Sequence, residues 1–128
     1  MKDYWVLVET YQNNKAEQKV LHFPEEADEI ELPPCPNMYD DVPPVTEVLR
    51  RHEEDPDLFL FRGDLVRVRM GLSPNFDAHN CHISIFESES EAVERAIWSW
   101  PRFRKRAAED CRRREWEFAR FYLGYPYR

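Results

Sequence analysis

Six of the ten prolines fall between positions 24 and 44, at Pro24, Pro33, Pro34, Pro36, Pro43 and Pro44, and they decide what the chain cannot build there. Proline lacks a backbone N–H and fixes φ, which excludes it from helix interiors and central strands. Regular structure must therefore come before residue 24 and after residue 44. Between them there is room only for a short edge strand at Glu29 to Leu32.

Before the prolines, Tyr4 to Tyr11 sets Trp5, Leu7 and Glu9 against Tyr4, Val6, Val8 and Thr10, the two-residue period of a strand. Asn13-Asn14 is a turn signal, and Gln18 to Phe23 can return as the partner of a hairpin. After the prolines, Val45, Val48 and Leu49 share one side and Thr46 can cap, which predicts a short helix over Val45 to Glu54, ending at Asp55-Pro56. Leu58 to Phe61 and Leu65 to Met70 read as two strands joined across Gly63-Asp64, and Cys81 to Phe86 as another after a loop at Ser73 to Asn80.

Ser88 with Glu91 three residues on is a capping-box pattern, and Val93, Ala96, Ile97 and Trp100 then repeat at helical spacing. Pro101 either kinks one long helix or starts a second over Arg102 to Leu123, with Gly124 placed to stop it. Strands followed by helices imply an α+β fold, an antiparallel β-sheet with C-terminal helices packed on one face. Its parts are an acidic strand and loop half at 1–57, strands at 58–86 and helices at 88–123. A length of 128 residues with 42% hydrophobic content suits a single domain, 1–128.

Charge is divided by position. Residues 1–57 hold fifteen Asp/Glu and five Lys/Arg, whereas residues 101–128 hold nine Lys/Arg and four acids, within a net charge of -7. The acids gather as Glu25, Glu26, Asp28, Glu29 and Glu31, then Asp40 and Asp41, then Glu53, Glu54, Asp55 and Asp57. Such bunches solubilise a surface, or let it occupy a basic groove that normally takes nucleic acid. No signal-peptide or membrane-length apolar run occurs, so a cytoplasmic protein with no membrane partner is expected. Cys35, Cys81 and Cys111, odd in number and irregularly spaced, read as free thiols. With only Gly63, Gly71 and Gly124, the glycine-rich phosphate loops of nucleotide enzymes are excluded, and no cofactor is expected.

Asp77, His79, Cys81 and His82 are the one crowded set of metal-capable or acid/base side chains, but no second Cys/His pair completes a zinc set, so no metal is expected. Within it, His82-Ile83-Ser84-Ile85 resembles the His-x-Ser/Thr strand motif of the 2H phosphoesterases. The resemblance implies that His82 and Ser84 share a strand face and act on a phosphodiester, His82 as acid or base. That family uses two facing motifs; this chain carries one, since His22-Phe23-Pro24 and His52-Glu53-Glu54 do not fit.

In the basic tail, Arg102, Arg104, Lys105, Arg106 and Arg112 to Arg114 mix with Trp98, Trp100 and Trp116, the pairing of cations and aromatics that a single-stranded nucleic-acid surface uses. Arg114 falls in the apolar stripe and should meet a carboxylate. Arg113, Arg114, Trp116, Phe121 and Tyr125 form an interface candidate, for a homodimer or for the apolar part of a partner contact.

The sequence is therefore read first as a small acidic cytosolic binding protein. It would occlude a larger protein, or protein–nucleic-acid complex, with a basic groove, in the manner of nuclease-immunity proteins or phage-encoded anti-CRISPR-like inhibitors. Partner contact is assigned to Glu25, Glu26, Asp28, Glu29, Asp40, Asp41, Glu53 and Glu54. The alternatives are a phosphodiesterase or RNase-type enzyme using His82 and Ser84, and a nucleic-acid binder using the helix at 101–120.

Overall fold

The computed structural model describes residues 2–12, 15–33, 46–71 and 81–122, with side chains described at all of these except 11, 12, 15, 107, 110, 111 and 113–122. The opening alternation forms β1 (Tyr4–Gln12) and β2 (Lys15–Phe23), an antiparallel pair from Tyr4 opposite Phe23 to Gln12 opposite Lys15. The predicted Asn13-Asn14 turn lies outside the described residues. The edge strand among the prolines is β3 (Glu29–Glu31).

The segment expected as a helix over Val45 to Glu54 is instead β4 (Val48–Arg51). Its burial alternates residue by residue, with Leu49 fully buried between exposed Val48 and Arg50. Leu49 lies opposite Ile30 on one side and Phe61 on the other. Four residues carry too weak a helical preference to compete with burial between two strands.

Next come β5 (Leu58–Phe61) and β6 (Asp64–Arg67), a hairpin whose two loop residues are Arg62 and Gly63 rather than Gly63 and Asp64. Both have positive φ, 54° and 81°, as a type I′ turn requires. The Arg62 guanidinium lies 2.9 Å from Glu47 and 4.7 Å over the Phe61 ring, which holds this conformation at a non-glycine position. Strand β7 (Cys81–Phe86) pairs with β1, and the chain then enters α1 (Glu89–Tyr122). Pro101 lies within this one helix and starts no second.

The class is α+β, built from two antiparallel sheets and one C-terminal helix. The sheets have orders β2-β1-β7 and β3-β4-β5-β6. Alternation gives the first sheet two apolar faces. Tyr4, Val6, Val8, Phe23, Ile83 and Ile85 meet Leu49, Phe59, Phe61 and Val66 of the second sheet. Leu7, Phe86 and Ala92 form a smaller core with Trp5, Val20 and Ala96, beneath the helix. The three-stranded sheet is thus the middle of three layers.

At the N-terminus of α1, Ser88 Oγ accepts from the Glu91 N–H at 3.2 Å, the predicted cap. Glu91 does not complete a reciprocal box; its Oε1 accepts from Arg69 at 3.0 Å. The stretch after β6 closes the gap between the sheets, with Arg69 N donating to Ile85 O at 2.7 Å. Gly71 follows at φ 70°, where an added Cβ would lie 2.8 Å from Ser84 Oγ and 2.9 Å from Ile83 O. Gly63 has open space around it. Gly71→Ala should therefore cost at least about 2 kcal/mol through strain plus overpacking, against about 1 kcal/mol for Gly63→Ala, which adds strain alone. Urea denaturation of the two variants checks the order.

Candidate functional site

Two places gather the residues singled out from the sequence, one between the middle sheet and the helix, the other at the Arg51 end of the second sheet.

Register builds the first. Glu9 of β1 lies opposite Gln18 of β2 and His82 of β7, and alternation turns all three toward α1. Glu9 is only 1% exposed, yet both of its oxygens are bonded. Oε1 lies 3.2 Å from His82 Nδ1; Oε2 accepts from Gln18 Nε2 at 2.8 Å and from Ser99 Oγ of α1 at 2.9 Å. Gln18 Nε2 also donates to Ala96 O of α1 at 2.9 Å. Burial alone pushes the Glu9 carboxyl up, but the bonds from His82, Gln18 and Ser99 outweigh it and hold the group below the usual carboxylate range.

His82 and Ser84 do share a face of β7. Nδ1 faces Glu9, which leaves Nε2 as the ring nitrogen turned away from the carboxylate. Ser84 is buried, and the space beside it and His82 Nε2 is taken by the backbone of Gly71. Cys81 points to the opposite face and is buried in the core between the sheets. Asp77 and His79 lie outside the described residues. Chemically, a buried carboxylate that orients a half-exposed imidazole is the arrangement of a general base with its positioning acid. Here the same bonds also join β1, β2, β7 and α1.

The second place is organised by Arg51, the last residue of β4. Its backbone N–H donates to Asp28 O at 2.8 Å, and its guanidinium donates to Ala27 O at 2.7 Å, Pro24 O at 2.8 Å and Lys2 O at 3.1 Å. The same group lies 4.6 Å over Phe23, 5.5 Å over Tyr4 and 5.8 Å over Phe59. The turn carrying Glu25, Glu26 and Asp28 is therefore tied to the strand end from which Glu53 and Glu54 continue. His52 Nδ1 accepts from the N–H groups of Glu54 and Asp55, at 3.2 and 3.1 Å, and shapes that loop.

Glu25, Glu26, Asp28, Glu53 and Glu54 are all exposed. Glu29 is exposed too but bonded to Arg50 at 2.8 Å. A cleft of about 410 Å³ opens here, lined by Lys2, Tyr4, Arg51, Glu53, Glu54 and Pro56 among others. Asp40, Asp41 and Tyr125 lie outside the described residues, and Arg113, Arg114, Trp116 and Phe121 lie in α1 with side chains outside them. Among the described residues, no group of three His, Cys, Asp or Glu side chains could hold a metal ion, and no helix is long and apolar enough to cross a membrane.

Sequence reasoning did not single out Glu9, Gln18, Ser99, Gly71 or Arg51 as site residues. One signal was present: Glu9 continues the Trp5-Leu7 alternation, which puts a carboxylate on an apolar face, and such a group needs partners. Comparison with protein families, with curated proteins and with solved structures finds no match. The geometry of these two places is what bears on function.

Because its folded pKa is lowered, Glu9 contributes stability that is complete above the ordinary carboxylate value and lost as pH falls through the folded value. Glu9→Gln should cost about 1 to 3 kcal/mol at neutral pH, since a neutral amide cannot accept all three bonds. The gap between the two proteins should begin to narrow as pH falls below the ordinary carboxylate value of about 4.3, where the unfolded chain takes up the proton, and should close once the folded carboxyl, held lower, protonates as well. Denaturation at a series of pH values measures it; a gap independent of pH would mean that Glu9 is not ionised in the fold.

Proposed function

We propose that this protein is a binding protein whose acidic end, Glu25, Glu26, Asp28, Glu53 and Glu54, docks onto a basic groove of a larger nucleic-acid-handling partner and occludes it. The observation that carries this reading is the Arg51 junction. It joins two acidic bunches far apart in sequence, while turning its own positive charge inward onto carbonyls and three aromatic rings. The result is a group of exposed carboxylates around an arginine whose donors are spent on backbone carbonyls. Asp40 and Asp41 extend the acidic set in sequence. In type, the reading places the chain with nuclease-immunity proteins and phage-encoded inhibitors of defence systems.

One observation favours a second reading. Glu9 orients His82 beside Ser84, which is what a phosphodiester-cleaving enzyme with a single His-x-Ser strand would need. Turnover of cyclic dinucleotides or short RNA that disappears in both His82→Ala and Ser84→Ala would put this reading first.

The binding reading is tested by reversing Glu25, Glu26, Glu53 and Glu54 to Lys in one variant. Exposed charges contribute little to folding, so stability should stay within about 1 kcal/mol of wild type. A partner captured by the wild-type protein should bind the variant at least about tenfold more weakly, and the wild-type affinity should fall as salt is raised. Equal affinity of both proteins for the captured partner would sink the proposal.

A further inference from the structure

Helix α1 turns one stripe to the middle sheet and leaves a second without a neighbour among the described residues. Ala92, Ala96, Ser99 and Phe103 recur at helical spacing and are buried or half-buried. Val93, Ile97, Trp100 and Arg104 recur at the same spacing on the flank of that stripe. Val93 is 40% exposed and Ile97 72%. Trp100 is half-buried, with the Arg104 guanidinium 5.9 Å over its ring. Trp98 sits on the other flank, its ring faced by the guanidinium groups of Arg95 and Arg102 at 5.2 and 4.2 Å.

We propose that the Val93-Ile97-Trp100 stripe is the seam of a homodimer, in which α1 packs antiparallel on α1 of a second copy across a two-fold axis near Ile97. Charge selects this occupant. Residues 89–94 carry Glu89, Glu91 and Glu94 and no base; residues 102–106 carry Arg102, Arg104, Lys105 and Arg106 and no acid. An antiparallel copy sets the acidic segment against the basic one. Glu89, exposed in the first turn, then meets Arg104 and Lys105 of the partner subunit, and symmetry repeats the contact at the other end. A parallel copy would set like against like.

The lengths agree. Glu89 and Arg104 are about 22 Å apart along the axis at 1.5 Å per residue, so the ion pairs flank an apolar centre at Val93, Ile97 and Trp100. Helices crossing at about 20° keep such a stripe in contact over several turns. Three apolar side chains per copy are fewer than a standard interface buries, so the dimer is weak and forms with rising concentration. The seam lies on the outer face of α1 and shares no residue with the acidic end.

Sedimentation velocity of the full chain over a concentration series tests it. Wild type should pass from monomer to dimer. Ile97→Lys should weaken association at least about tenfold, and so should Arg104→Glu combined with Lys105→Glu, by placing like charges across the seam. Adding Glu89→Lys to the latter pair should restore association, because the reciprocal contacts return with their signs exchanged. Ile97, Glu89, Arg104 and Lys105 are exposed in the monomer, and circular dichroism verifies that each variant keeps its helix. A wild type that stays monomeric throughout, a dimer indifferent to Ile97→Lys, or a triple variant no better than the double would each overturn the proposal.

Discussion

One guanidinium holds the described parts of the front half together. Arg51 donates to the carbonyls of Lys2, Pro24 and Ala27, groups from before β1 and from the turn after β2. Those segments lie outside the strand ladders, where carbonyls are bonded less regularly, and the guanidinium supplies donors to them. Arg51 suits the task because its planar group offers several N–H donors while its faces stack on rings. Phe23 and Phe59 pack edge to face beneath it at 5.1 Å, and Tyr4 meets Phe59 at 5.2 Å. The two sheets are joined here by aromatic packing, and the guanidinium closes the aromatic group at its polar edge.

A second polar device acts on the other side of the middle sheet. Below α1, Leu7, Phe86 and Ala92 are the buried members of that core among the described residues. Ser99 and the Ala96 carbonyl, bonded to Glu9 and Gln18, fix the helix's position with directional bonds. Removing one partner would leave a buried carboxylate short of donors, which makes the register specific.

The strands were legible where alternation ran long. Tyr4 to Tyr11, Leu58 to Phe61 and Cys81 to Phe86 each carry enough β-branched and aromatic residues for period two to stand out, and Ser88 marked the helix start correctly. Strand β4 was not legible, because Val45, Val48 and Leu49 fit a helical spacing, whereas the strand turns the adjacent Val48 and Leu49 to opposite faces. Only the neighbours at Ile30 and Phe61 decide between them, and those contacts are non-local. The division into two sheets was hidden for the same reason: hairpins announce themselves through turns, whereas the pairing of β1 with β7, more than seventy residues on, leaves no local mark. At the sites, the exposed acids could be read directly. Glu9 with its partners could not, since Gln18, His82 and Ser99 meet only after the sheet and helix are assembled.

The layer order also bears on the proposed binding function. The middle sheet is covered on one face by the second sheet and on the other by α1, so the Arg51 end and the outer stripe of α1 belong to different layers. A dimer formed through the helices would leave each acidic end uncovered and carry two of them per assembly. Two weak sites on one rigid body bind a partner with matching symmetry far more tightly than either alone, and gain nothing on a partner with a single groove. Dimerisation and partner symmetry are thereby linked, and a concentration-dependent dimer would make inhibition steeper than first order in protein when the target itself presents two basic grooves.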